Sequence, residues 1–181
     1  MTPEPEPEIR EALLAAVPSL RAFAISLSGQ VDRADDLVQD TLLRALSNLH
    51  RFEPGTNLNA WLFTILRNLF HSEYRKRRRE VEEPDGSYAG RLKVQPEQGS
   101  HLDFEDFRSA LAKLPGDQRE ALLLVGASGF SYEEAASICD CAVGTIKSRV
   151  NRARIRLASL LNVDDIEDLG PDSMTRAALQ G

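Results

Sequence analysis

The sequence predicts an all-α chain of two small helical domains joined by a flexible linker. Three observations carry that reading. Apolar residues recur at three- and four-residue intervals over long stretches, and no segment alternates as a half-buried strand does. Between the periodic stretches, residues 83–101 place Pro84, Gly86, Gly90, Pro96 and Gly99 among polar side chains, a linker composition. The 181 residues are 42% hydrophobic and 28% charged, enough for two small cores under a polar surface.

The first domain is expected over residues 1–82. Its first helix runs from about Pro7 to Ser28 on Leu13, Leu14, Val17, Leu20, Phe23 and Leu27. A second starts near Asp32, with Ala34, Leu37, Val38, Thr41, Leu42, Ala45 and Leu46 on one side. A turn segment, Arg51 to Thr56, leads into a third, long helix from about Leu58 to Arg79. The second domain is expected over residues 102–161. A helix from about Leu102 to Lys113 ends at Leu114-Pro115-Gly116, after which Asp117 and Glu120 form an N-cap pair for the next helix. Ser131 and Glu134 repeat that signature. Residues 162–181 form an acidic tail expected to be partly disordered.

The net charge of −6 speaks at first against nucleic acid, but the distribution matters more. The acids crowd both ends. The bases form two blocks: Arg75-Lys76-Arg77-Arg78-Arg79, and Lys147, Arg149, Arg152, Arg154 and Arg156 with no acid between Val143 and Leu157. Two concentrated basic helices bind phosphates locally even in an acidic chain. No apolar run approaches the ~18 residues of a membrane span, and the acidic, proline-rich start is not an export signal. Cys139 and Cys141 are too few for a disulfide framework and suit a reducing cytoplasm. They are read as small residues packing a turn. His50, His71 and His101 are scattered, so no metal site and no cofactor is expected.

Residues 131–161 carry the most specific pattern. Ser131 to Ile138 is a short amphipathic helix, Cys139 to Ala142 a tight turn, and Val143 to Leu161 a longer helix. That spacing is the one of a DNA-binding helix-turn-helix. The longer helix has an apolar stripe of Ile146, Val150, Ala153, Leu157, Leu160 and Leu161. Thr145, Ser148 and Arg152 lie opposite, flanked by Lys147, Arg149, Asn151 and Arg156. Arg and Asn bond base edges, and Lys and Thr reach phosphates. A solvated basic face alone explains the charge, but not the preceding helix or the small Ala135 and Ala136 at the crossing.

In the first domain, Trp61, Leu62, Ile65, Leu66, Leu69 and Phe70 make a core stripe on the long helix. Its other side shows Thr64, Arg67, Asn68, His71, Tyr74, Arg75 and Arg78. A cationic face with an aromatic in it suits unpaired nucleic acid, because aromatics stack on bases while Arg neutralises phosphate. The loop Phe52 to Asn59 offers short polar side chains for a flipped base, or simply a helix cap.

Both halves together resemble the extracytoplasmic-function sigma factors of bacteria. The stretch Asp36-Leu37-Val38-Gln39-Asp40-Thr41-Leu42-Leu43-Arg44, followed by Ala60-Trp61-Leu62-Phe63-Thr64-Ile65 and Arg67-Asn68, is similar to their region 2. Leu114-Pro115, Gln118-Arg119-Glu120, Ser131 to Ala136, Val143 to Arg149 and Arg152-Ala153-Arg154 are similar to their region 4. The likeness spans about residues 10 to 161. It implies a non-enzymatic factor that directs core RNA polymerase to promoter DNA and takes no small-molecule substrate. It gives polymerase clamp docking to Leu37, Gln39, Asp40, Thr41 and Arg44. Capture and melting of the −10 element fall to Asn57, Leu58, Asn59, Arg67 and Asn68, with Arg75. Reading of the −35 duplex falls to Thr145, Lys147, Ser148, Arg149 and Arg152. The linker would thread toward the polymerase active-site channel.

Gly126 to Tyr132 and Pro84 to Tyr88 are similar to the general-stress-response subgroup of alphaproteobacteria. That likeness implies a small anti-sigma factor bound to both domains and released by a regulator with a sigma-like decoy domain. Two positions depart from the family. Asp140 stands where the turn usually has Gly, and Ala142 is a poor N-cap. Other readings are a sigma-like decoy, which would lose its basic DNA-reading residues, and a stand-alone repressor or activator, which needs no docking helix. An enzyme would need a nucleophile–base pair, phosphate loop or metal cluster, and none is evident.

Overall fold

The computed structural model describes residues 6–80 and 102–163. The expected linker, and the acidic tail after Val163, lie outside the described residues. The chain divides into two compact units, Met1–Ser87 and Tyr88–Gly181. Every regular element among the described residues is helical, which bears out the all-α class.

In the first unit, α1 (Pro7–Ser28), α2 (Val31–Ser47) and α3 (Leu58–Glu80) pack pairwise against one another. Leu20, Phe23 and Ala24 of α1 meet Ala34, Leu37 and Val38 of α2 and Leu62, Phe63, Leu66 and Phe70 of α3 in one core. The Phe23 and Phe63 rings lie 5.0 Å apart. Gly29 ends α1 at φ 70, a left-handed cap that favours glycine, and its amide donates to the Ile25 carbonyl at 2.8 Å. With 22 residues and a mean hydropathy of 1.3 in its most apolar window, α1 is long and apolar enough to cross a membrane. That corrects the expectation that no run approaches a span. In this fold its Leu13, Ala16, Leu20, Phe23, Ala24 and Leu27 are buried, as in a core helix. Leu14, expected in its apolar stripe, is exposed.

In the second unit, α4 (Leu102–Ala112), α5 (Gly116–Leu122), α6 (Tyr132–Cys139) and α7 (Val143–Leu161) enclose Ala121, Leu124, Ile138, Ile146, Val150, Ala153 and Leu157. The last two expected stripe residues of α7 are less covered: Leu160 is exposed and Leu161 half-buried. After α5 the chain widens into a π-helical turn over Leu123–Ala127, closed by the Ser128 amide on the Leu123 carbonyl at 2.9 Å. The expected Asp117–Glu120 cap is not formed. Pro115 occupies the N-cap position, Asp117 lies inside the first turn, and Glu120 is buried beside the buried Arg119. Burial lowers the Arg119 pKa, with the Glu120 charge opposing.

Candidate nucleic-acid interface

The helix-turn-helix is built from its caps inward. Ser131 Oγ accepts the Glu134 amide at 3.1 Å, and Glu134 Oε2 accepts the Ser131 amide at 2.9 Å. This reciprocal box holds the start of α6. At its other end Asp140 adopts φ 52 and ψ 53, and the Cys141 amide reaches the Ala136 carbonyl at 3.1 Å. That bond closes a Schellman turn with Asp in the glycine place. Ala142 caps α7 with no side-chain hydrogen bond; its carbonyl accepts the Thr145 amide at 3.0 Å. Ala135 and Ala136 are buried, as a close crossing with α7 requires. Cys139 is buried, Cys141 half-buried, and both are free thiols.

The packed stripe of α7 turns the opposite side outward. Lys147, Asn151, Arg152 and Arg156 are exposed, and Thr145 and Ser148 are half-buried. The Lys147 ammonium sits 5.8 Å from the Tyr132 ring centroid, which steers it along the α6 side. Arg149 differs. It turns back into its own unit, with Nε 3.4 Å from Asp117 Oδ2 and Nη1 4.0 Å from Cys141 Sγ. Thr145, Lys147, Ser148 and Arg152 therefore share one outward surface, and Arg149 borders it.

In the first unit the residues expected at the −10 element are strung along α3 and its entry loop. Asn57 Oδ1 accepts the Ala60 amide at 3.2 Å, so Asn57 caps α3. Leu58 and Arg67 are half-buried, and Asn59, Asn68 and Arg75 are exposed. Asn68 and Arg75 are seven residues apart and share a face; Asn57 and Arg75 are separated by about 27 Å of helix at ~1.5 Å per residue. They are spread along α3 and not clustered, and Asn59 and Asn68, nine residues apart, fall on opposite sides of the helix. Trp61 is half-buried against Phe52, ring centroids 5.4 Å apart. Tyr74 and His71, expected on the cationic face, lie against Phe70 at 6.5 and 5.4 Å. Their rings serve the packed side of the helix as well.

The docking residues expected on α2 divide in two. Gln39, Asp40 and Arg44 are exposed. Leu37 is 1% exposed and Thr41 0%, so neither forms an outward surface. They fall on the same helical side as Ala34, Val38 and Ala45, and the Thr41 hydroxyl is satisfied by the Leu37 carbonyl at 2.6 Å. Leu43, 57% exposed, stands beside Asp40 and Arg44 instead, and lines a shallow hollow with them and Leu69. Sequence periodicity carries the signal: Leu43 is off the buried stripe. A second cleft, about 380 Å³, runs between α2 and the end of α3, with Arg33, Asp36, Asp40, Glu73 and Arg77 in its walls. Arg33 packs over the Phe70 ring at 5.5 Å and lies 3.6 Å from Glu73. Burial lowers its pKa, Arg77 adds to that, and Glu73 opposes it.

The two units match two family models: Sigma-70 region 2 over residues 13–80 and Sigma-70, region 4 over residues 104–157. The chain is 73% identical to the ECF RNA polymerase sigma factor EcfG of Rhodopseudomonas palustris, over 96% of each chain. It is 37% identical to the ECF RNA polymerase sigma factor SigC of Mycobacterium tuberculosis, over 78% of this chain and 77% of that one. Among solved structures, the complex of the sigma factor RpoE with the anti-sigma factor NepR from Bartonella quintana matches with a TM-score of 0.77 and 57% identity. That match covers 87% of this chain and 99% of the other. With both family models matched in order and an ECF sigma factor 73% identical over 96% of its length, the chain belongs to the ECF family of RNA polymerase sigma factors.

Proposed function

We propose that this sigma factor serves a general stress response in the cytoplasm and that a small anti-sigma protein holds it inactive until release. Its likeness to EcfG, and to an RpoE bound by the anti-sigma factor NepR, supports that reading. The chain makes and breaks no bonds of its own; the polymerase supplies the chemistry, and this protein supplies binding and position.

The work divides between the units. The exposed row Gln39, Asp40, Leu43 and Arg44 on α2 docks on core polymerase, while the buried Leu37 and Thr41 anchor α2 in the core behind it. Asn59, Arg67, Asn68 and Arg75 follow the unpaired −10 strand, with Asn57 and Leu58 setting the loop at its start. On α7, Lys147, Ser148 and Arg152 face base edges of the −35 duplex, and Thr145 and Arg149 face its backbone. Each site alone is weak, and tethering both on one polymerase raises the effective concentration of each for its element. The single observation that carries this is the outward set Lys147, Asn151 and Arg152 on a capped, well-packed α7. A decoy has no use for it.

Run-off transcription with purified core polymerase, on a library of promoter fragments, tests the proposal. Start sites that need this protein and share −35 and −10 elements are expected. Tight association with a small partner but no initiation would favour a decoy. Strong duplex binding without polymerase would favour a stand-alone regulator.

A further inference from the structure

One cation of the recognition helix is held by a residue outside the helix-turn-helix. Arg152 and Arg156 are exposed and Lys147, also exposed, rests at the Tyr132 ring of α6, whereas the Arg149 side chain is 25% exposed. Its guanidinium joins three segments. Nε faces Asp117 Oδ2 of α5 at 3.4 Å, and Nη1 faces Cys141 Sγ of the turn at 4.0 Å. Asp117 is itself oriented, because its Oδ1 accepts the Gln118 amide at 2.9 Å and so turns Oδ2 toward α7. A guanidinium carries five donors in a rigid plane. Asp117 and Cys141 face Nε and Nη1, two of the three nitrogens that share those donors.

We propose that Asp117 is a positioning residue for −35 recognition: it fixes the Arg149 guanidinium at the border of α7 so that this cation meets a backbone phosphate of the duplex. The inference rests on reading α7 as the helix that enters the −35 major groove. A free arginine loses its rotamer freedom when it binds, whereas one already held has lost it in the folded protein, and a planar fork gains most from being held. A fixed phosphate contact also sets the register in which Lys147, Ser148 and Arg152 face the bases.

The sign of one substitution separates this role from simple electrostatics. Asp117 is a negative charge close to DNA, so charge alone predicts that removing it strengthens binding. Positioning predicts the reverse. The test is a double-mutant cycle of Asp117→Asn and Arg149→Ala in reconstituted holoenzyme. It is read as affinity for a promoter fragment found by the run-off assay, with the melting temperature of each variant measured alongside. Asp117→Asn is expected to weaken binding about threefold to fivefold, the scale of a partly exposed ion pair, with an unchanged melting temperature. Asp117→Glu restores most of the loss. In the Arg149→Ala background Asp117→Asn costs nothing further. Binding as tight as the parent's in Asp117→Asn, or a loss that persists in the Arg149→Ala background, overturns the positioning role alone. An Arg149→Ala variant that binds the promoter normally overturns the placement of Arg149 at the DNA as well.

Discussion

The two basic helices hold their cations differently. In α3 the packed face ends at Phe70, and Arg75, Lys76, Arg77, Arg78 and Arg79 all lie beyond it, exposed. In α7 the buried residues Ile146, Val150, Ala153 and Leu157 interleave with the bases, so every cation is within a turn of a packed neighbour. Two are held further, Lys147 at the Tyr132 ring and Arg149 at Asp117. A cluster past the core offers charge without fixed direction, which suits a single strand whose backbone takes many shapes. A cation on a packed helix has a fixed direction, which suits the donor and acceptor pattern of a duplex groove.

The largest expected effect tests the packed side of the first unit. Leu37→Ala empties a buried site and is expected to destabilise that unit by about 3 kcal/mol, losing polymerase binding through unfolding. Asp40→Ala, three residues on but exposed, should leave the melting temperature unchanged and weaken polymerase binding directly. Thermal unfolding beside a polymerase affinity measurement separates the two; equal melting temperatures would place Leu37 on the surface after all. Next, Arg152→Ala should lower −35-dependent transcription about tenfold, the scale of one lost base contact. Unchanged output from a promoter whose −35 element matters would remove Arg152 from the reading set. Asp140→Gly relieves a left-handed residue at the turn before α7 and should stabilise the second unit by about 1 kcal/mol, seen as a higher melting temperature. A lower one would mean the Asp side chain stabilises the turn. The smallest effect is expected where charge alone matters. Replacing Arg77, Arg78 and Arg79 by Lys keeps the charge and should change promoter opening by less than about twofold, whereas Arg152→Lys should behave nearly as Arg152→Ala, because a base-reading fork is not replaced by a point charge. Equal sensitivity at both helices would break the contrast.

Local signals in the sequence account for most of the fold. Ser131 with Glu134 announces the start of α6, Leu114-Pro115-Gly116 the end of α4, and the 3.6-residue stripe of α7 its buried face. The same local grammar misleads at Asp117 and Glu120, where the capping spacing is present but Pro115 already holds the cap position, and Glu120 is drawn into the core. The site is legible in part. Exposed Gln39, Asp40, Arg44, Asn68, Lys147 and Arg152 follow from periodicity. Leu37 and Thr41 sit in the apolar stripe by the same periodicity, and only the family likeness assigns them to docking; burial decides for the stripe. The surroundings of Arg149 are not legible, because they depend on which elements pack together: Asp117 lies on another helix. The contact of Tyr74 with Phe70 is legible, because the two stand four residues apart on α3.

The most direct test of the division between units measures two quantities on two paired variants. Asp40→Ala with Arg44→Ala, and Lys147→Ala with Arg152→Ala, are each assayed for core polymerase affinity and, at saturating protein, for the dependence of initiation on the −35 element. The α2 pair is expected to lose polymerase affinity and keep its −35 dependence, while the α7 pair keeps its affinity and loses that dependence. Loss of polymerase affinity in the α7 pair to the same extent as in the α2 pair would contradict the division between units.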